Sequence, residues 1–348
     1  MKATLSSFTL AASILLVLAA HNPPKANKEM SAVLDQLSAL GGKRAEQLAP
    51  DEARRQPTPT DAVKTLLRQR GQSTAPEPVA KVENRSIAGA GGEIPIRIYT
   101  PQGAGPFPVV LYIHGGGWVI ADLDVYDSSP RALANAAKAV VVSTHYRQAP
   151  EHPFPASHED TFSAYQWVRE HAGSFNGDPK RIAVAGESAG GNMAAGISLV
   201  ARERNVPQPL HQLLIYPVAS TDMDTPSFEE NANAQPLNKA MMEWFARHEF
   251  KSVHDKSDPR VNLISANLHG LPPTTIISAG IDPLRSGGKL LADKLTIAGV
   301  SVDYKNYPGV THEFFGMSAV LLEAKDATQF AAKNLLIAFN RGNARSRD

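Results

Sequence analysis

The chain of 348 residues contains no cysteine. That absence removes thiolate nucleophiles, thiolate metal sites, disulfide frameworks and lipid attachment through a cysteine. A charge excess is also missing, because 35 Lys and Arg stand against 34 Asp and Glu and leave a formal net charge of +1. Nucleic-acid binders draw much of their affinity from clustered cations that neutralise phosphates, so this balance argues against that class. Beyond the first twenty residues no apolar run approaches the length needed to cross a bilayer, and no membrane insertion is expected of a mature form. What is present is ordinary globular usage, 43% hydrophobic and 20% charged, enough for a sizeable core and unlike a disordered or fibrous chain.

The first twenty residues carry Lys2, a polar stretch and an apolar run from Phe8 to Ala20 that ends in small residues. This is the pattern of a secretory signal peptide over residues 1–20, and it predicts a periplasmic or secreted location. Residues 21–75 read as a separate helical segment. Met30, Val33, Leu34 and Leu37 recur at helical spacing before Gly41-Gly42, and a second helix runs from about Asp61 to Arg70 before Gly71. Pro76 and Pro78 mark the linker that follows.

The remainder alternates strands and helices. Ile94, Ile96 and Ile98 alternate with Pro95 and Arg97, the pattern of a half-exposed antiparallel strand near a sheet edge. Val109 to Ile113, Ala139 to Val142, Ile182 to Ala185, Leu213 to Ile215 and Thr274 to Ser278 are continuous apolar runs, as expected of parallel strands buried on both faces. A helix is expected from about Ser157, with Asp160 spaced as in a capping box and Phe162, Tyr165 and Trp167 on its apolar face. The fold class is therefore α/β, a mostly parallel central sheet flanked by helices. Residues 76–220 and 259–345 supply this core. The intervening 221–258 contain no strand but a helical pattern of Leu237, Met241, Trp244 and Phe245, expected to join residues 21–75 as a helical cap.

In open parallel sheets ligands bind beyond the carboxyl ends of the strands, so the residues just after each run carry the chemistry. After Ile182 to Ala185 comes Gly186-Glu187-Ser188-Ala189-Gly190, a G-x-S-x-G turn between strand and helix that thrusts a serine hydroxyl into the site. Chance would produce the pentapeptide in about one chain in ten of this length, but the strand before it and the helix after it make it specific. His114-Gly115-Gly116-Gly117 follows Val109 to Ile113, and its glycines free backbone N–H groups to face an oxyanion. No Lys-Ser or Lys-Thr follows to make a nucleotide loop.

A serine becomes a nucleophile when an imidazole takes its proton and a carboxylate fixes that imidazole's tautomer. Of the histidines after Ser188, His248 and His254 fall in the expected cap, and His211 and His269 precede strands. His312 follows a strand-like run, Val302 to Tyr307, and is the expected base. The expected acid is Asp282, just beyond Thr274 to Ser278, although an Asp before Pro283 also suits a helix N-cap. His114 is assigned to orienting the glycine loop and Glu187 to supporting the turn from behind. No metal is expected, since His312-Glu313 lacks a second histidine at helical spacing. No cofactor is expected either.

Taken in order, His114-Gly115-Gly116-Gly117-Trp118, Tyr146 to Glu151 with Pro153-Phe154-Pro155-Ala156, Gly186 to Gly191, Asp282-Pro283-Leu284-Arg285 and His312 resemble the bacterial hormone-sensitive-lipase-like (family IV) esterases of the α/β-hydrolase superfamily. The resemblance spans roughly residues 76 to 340. It implies an α/β-hydrolase fold with a helical cap and hydrolysis of short- to medium-chain carboxylic esters by a serine carboxylesterase. It further implies a Ser188, Asp282 and His312 triad and an oxyanion hole from the N–H groups of Gly115, Gly116 and Ala189. The expected partner is a small-molecule ester, with a homodimer allowed. Two departures stand out: Ser286-Gly287-Gly288 where the family often carries acidic residues, and Gln148 in place of an apolar one. An amidase or acetyl-group deacetylase would use the same triad, whereas a non-catalytic ligand receptor of this fold would lack one of its members.

Overall fold

The computed structural model describes residues 25–345, so the expected signal peptide lies outside the described residues. The chain begins with α1 (Lys28–Ala39), α2 (Pro50–Ala53) and α3 (Pro59–Gln69), then enters the sheet through β1 (Lys81–Gly89), β2 (Gly92–Thr100) and β3 (Phe107–Ile113). Alternation follows: α4 (Ser128–Ala137), β4 (Val140–Thr144), α5 (Ala156–His171), β5 (Gly177–Glu187), α6 (Ala189–Glu203) and β6 (Gln212–Ile215). Three helices, α7 (Pro226–Glu230), α8 (Lys239–Glu249) and α9 (Val253–Ser257), intervene before β7 (Thr274–Ile281), α10 (Arg285–Ile297), β8 (Val302–Thr311) and α11 (Leu322–Arg345). No described helix is long and apolar enough to cross a membrane.

The strands form one sheet in the order β1-β2-β4-β3-β5-β6-β7-β8. β2 pairs antiparallel with both β1 and β4, and every pairing from β4 to β8 is parallel. The apolar runs dictate this. In β3 all seven residues are buried, Val109, Leu111 and Ile113 in the core on one face and Val110 and Tyr112 in the core on the other. Helices α5, α6 and α10 cover the first face with Phe162, Met193 and Leu291, and α4 and α11 cover the second with Leu133, Leu335 and Phe339. Each such side chain contributes roughly 1.5–3 kcal/mol on leaving water. The parallel register, with Leu111 beside Val184 and Leu214 beside Ile276, brings the carboxyl ends of β3, β5, β7 and β8 to one edge of the sheet.

Two expectations need correction. β1 is absent from the sequence reading because it is a polar edge strand in which only Ile87 is buried. Asp160 does not cap α5, which starts at Ala156 after Pro155 with no side-chain cap. Its buried carboxylate instead receives the Arg147 backbone N–H at 2.9 Å and its guanidinium at 2.9 and 2.8 Å. A buried carboxylate is costly unless paired, so the long-range partner wins over the local cap.

The N-terminal segment lies across the carboxyl edge. The Asn27 N–H donates to Gly309 O at 2.8 Å, near the end of β8, and the Thr60 hydroxyl to Val125 O at 2.9 Å. The 221–258 segment reaches it from the other side, where the Trp244 indole donates to Leu48 O at 3.2 Å. Arg54, on the residue after α2, donates to Val119 O at 2.8 Å, Ala149 O at 2.9 Å and the Glu151 carboxylate at 2.8 and 2.7 Å. This one guanidinium fastens the segment to the loop that follows the triple glycine. Arg54→Ala is expected to lower stability by about 1.5–3 kcal/mol, the range for hydrogen bonds to a charged group, and to speed proteolytic cleavage within residues 40–58. Denaturant melts and limited proteolysis check this; an unchanged midpoint and cleavage pattern would refute it.

Candidate active site

Ser188 sits between β5 and α6 at φ 58° and ψ −121°, a backbone region that a residue with a Cβ rarely occupies. The surroundings hold it there. Its N–H donates to Ile215 O at 2.9 Å, and its carbonyl accepts from the Asn192 and Val218 N–H groups at 3.2 Å each. The flanking glycines answer to close approach: a Cβ on Gly186 would stand 2.1 Å from Gly190 O, and one on Gly190 would stand 2.1 Å from Ile113 O. Only hydrogen fits at either place, so β5, α6 and the end of β3 meet at the serine.

Asp282 and His312 arrive from the ends of β7 and β8. Both are buried, and the Asp282 Oδ2 accepts a hydrogen bond from His312 Nδ1 at 2.7 Å. The other carboxylate oxygen, Oδ1, accepts the Leu284 N–H at 2.8 Å. The cap reading of this aspartate needs correction: α10 starts at Arg285 with Leu284 at its N-cap and no side-chain cap, and the Oδ1 bond instead fixes the turn before the helix. Burial works against an imidazolium at His312, but the charge and hydrogen bond of Asp282, with the charges of Glu313 and Glu187, outweigh it and raise the pKa above the ordinary histidine value. Ser188 and His312 line the same cavity of about 310 Å³; the hydrogen bonds of the structure join His312 to Asp282 but not to Ser188. His211, His248, His254 and His269 do not line it.

The glycine loop faces the serine from β3. The buried His114 donates from Nδ1 to Gly115 O at 2.8 Å, since a carbonyl can only accept. Its Nε2, 3.0 Å from His145 Nδ1, is then the acceptor. Burial first, and the neighbouring His145 second, push its pKa down to about 3, so His114 stays neutral and its tautomer is fixed. The Tyr146 hydroxyl donates to the same Gly115 carbonyl at 2.9 Å. Because a peptide is planar, holding that C=O also aims the Gly116 N–H on its other side. Gly117 has a different constraint: a Cβ there would meet the Phe245 ring of α8 at 2.3 Å.

Behind the turn, Glu187 accepts the Tyr112 hydroxyl at 2.5 Å and also the Tyr216 hydroxyl, so its side chain points away from the cavity. Burial, reinforced by the charge of Glu313, raises its pKa to about 7. The two departures from the family pattern make contacts of their own. Gln148 donates to the Ile120 and Ala121 carbonyls at 2.9 Å each. Ser286 exchanges hydrogen bonds with Ser227 of α7 at 3.0 and 3.2 Å, which ties the 221–258 segment to the loop after Asp282. Sequence reasoning missed Tyr126, Tyr216 and Glu313 as parts of the site. Tyr216 lays its ring 4.5 Å from that of His312, and Tyr126 and Glu313 line the cavity. Only adjacence to His312 could have drawn attention to Glu313. Among the described residues no group of three or more His, Asp or Glu side chains is placed to hold a metal ion.

Residues 110–316 match the family model described as the alpha/beta hydrolase fold. The carboxylesterase NlhH of Mycobacterium tuberculosis is 41% identical over 280 residues, covering 78% of this chain and 88% of that protein. An ethyl acetate hydrolase of Pseudomonas putida is 31% identical over 86% of this chain and 95% of its own. Among solved structures, a hyperthermophilic esterase from the archaeon Pyrobaculum calidifontis superposes with a TM-score of 0.82 at 35% identity, covering 90% of this chain and 99% of that one. The chain belongs to the α/β-hydrolase family. Within that family it is a member of the hormone-sensitive-lipase-like branch that its motifs resemble.

The close approach at the serine turn has a direct consequence. Gly190→Ala is expected to cost at least about 3 kcal/mol, because the new methyl meets backbone rather than a side chain that can move. A variant with the wild-type melting temperature would show that β3 and α6 stand farther apart than described.

Proposed function

We propose that Ser188, Asp282 and His312 act as a triad on short- to medium-chain carboxylic esters, through an acyl-enzyme intermediate. By family and by relatives the chain is a serine carboxylesterase. The observation that carries the finer reading is the buried 2.7 Å bond from His312 to Asp282 beside a serine held at positive φ in the same cavity. His312 Nε2 takes the Ser188 proton as Oγ bonds to the ester carbon, and the carbonyl electron pair moves onto oxygen. The N–H groups of Gly115, Gly116 and Ala189 receive that oxyanion. The carbonyl re-forms as the C–O bond to the alcohol breaks, and His312 gives its proton to the leaving oxygen. Water then attacks the acyl-serine by the same steps and releases the acid.

The substrate range rests on the cavity. Its volume of about 310 Å³ lies at the small end for ligand pockets, and Leu237, Met241 and Phe245 of the 221–258 segment line it with Ser188. Residues 21–75 and 221–258 then serve as the cap over the acyl site. Export to the periplasm or beyond rests on the Phe8 to Ala20 run and the small residues that end it.

Across p-nitrophenyl esters from acetyl to dodecanoyl, kcat/KM is expected to peak at short or middle lengths, and Ser188→Ala to lower kcat by roughly six orders of magnitude. A residual rate within tenfold of wild type would defeat the assignment of the nucleophile. The pH dependence has a definite sign. Only neutral His312 can accept the serine proton and its pKa is raised, so kcat/KM should climb with pH through a midpoint above the ordinary value of about 6.5. A midpoint well below 6 would contradict the pairing with Asp282.

A further inference from the structure

The residue after His312 bears two costs at once. Glu313 lies at φ 71° and ψ 2°, the left-handed region in which a Cβ is strained and glycine is not. Its carboxyl group is also largely enclosed, with 22% of the side chain open to the cavity. Strain that a structure retains beside a reacting group is a reason to ask what that group does. One carboxylate oxygen, Oε1, accepts the Tyr126 hydroxyl at 2.6 Å and stands 3.8 Å from His312 Nε2. A Cβ built on Gly115 would meet the same tyrosine hydroxyl at 2.3 Å, so this pair packs against the glycine loop as well.

The imidazole therefore has a carboxylate at each nitrogen. Asp282 binds Nδ1 by a hydrogen bond, whereas Glu313 stands beside Nε2 at a distance too long for one. That spacing leaves the Nε2 lone pair free of Glu313, in the cavity that Ser188 also lines, while the carboxylate remains close. We propose that Glu313, pinned by Tyr126, is a positioning residue that acts through His312 and stabilises the imidazolium formed as Ser188 attacks. The inference rests on the triad reading above. The proton travels from Ser188 Oγ to His312 Nε2 and on to the leaving alcohol, and none passes to Glu313. Positive charge appears on the ring only during the reaction, so a fixed opposite charge beside it favours the transition state over the ground state.

Other groups also bear on the ring. Asp282 binds it from the end of β7 and Tyr216 packs on it from the end of β6, while Glu187, held by Tyr112 behind the serine turn, acts through its charge and Tyr126, from the loop before α4, acts through Glu313. From the N-terminal segment the cavity receives Lys43, Arg44, Glu46 and Arg54. Arg44 is paired with Glu46 at 2.6 Å and Arg54 with Glu151 at 2.7 Å, so much of that positive charge is already answered. Burial raises the Glu313 pKa, while the His312 charge and the Tyr126 hydroxyl oppose the rise. The two side chains titrate as a coupled pair.

The test compares wild type, Glu313→Gln and Glu313→Asp on p-nitrophenyl butyrate, with kcat and KM resolved across pH and the melting temperature of each. Gln keeps the length and the acceptor for Tyr126 but removes the charge; Asp keeps the charge and tolerates the left-handed backbone. The expected result for Gln is an acidic limb of kcat/KM displaced downward by about one pH unit and a plateau kcat about tenfold lower, with KM within about twofold. Asp should recover part of the displacement. An unmoved limb in Gln overturns the proposal, whether the rate is unchanged or falls together with the melting temperature. A raised KM at unchanged kcat overturns it in favour of a substrate contact. Absence of Ser188-dependent turnover in wild type is a different failure, which removes the triad reading and this inference with it.

Discussion

The contact on which the rest depends is the approach of the first turn of α6 to the end of β3, where a Cβ on Gly190 would stand 2.1 Å from Ile113 O. It joins two pieces of sequence more than seventy residues apart, the serine turn and the triple-glycine loop. A looser junction would still bury the same apolar residues and leave the sheet intact. It would not fix the two loops relative to each other so that Gly116, Gly117 and Ser188 line one cavity. The strained φ of Ser188 sits at the same junction, held by the backbone bonds to Ile215, Asn192 and Val218.

Around this junction the polar groups are buried in chains rather than singly. His114 and Tyr146 hold the Gly115 carbonyl, Tyr112 and Tyr216 hold Glu187, and Asp282 holds His312. Each chain satisfies groups that would otherwise be expensive to enclose, and each ends at an atom that faces the cavity or at its immediate neighbour. Carboxylates gather on the His312 side, whereas the glycine loop is served by the neutral His114. This division of charge suits a reaction that makes a cation at one end of the serine and an anion at the other.

Much of this was legible in the sequence, for identifiable reasons. Strands buried on both faces read as unbroken apolar runs, so β3 to β7 were predicted within a few residues, and the chemistry followed from what comes just after each run. β1 was not legible, because a strand facing solvent on its outer edge has no such run, and α2 is too short to show a period. Asp160 misled because a local capping pattern and a distant ion pair draw on the same residue type, and only the fold reveals that Arg147 is near. Tyr126 and Glu313 are 187 positions apart, and no spacing rule connects them. The sequence pointed to Ser188, His312 and Asp282, whereas the groups that bear on the His312 pKa emerge only from the packing.

The central claim is that one serine, held at positive φ beside an Asp-bound histidine, is the nucleophile. A p-nitrophenyl alkylphosphonate with a short alkyl chain tests it most directly, because it transfers phosphorus only to an activated hydroxyl. Intact mass and peptide mapping would follow the transfer. One adduct per chain is expected, carried by Ser188 and formed at a rate that falls with protonation of His312. An adduct on another residue, or none while ester turnover persists, would contradict it.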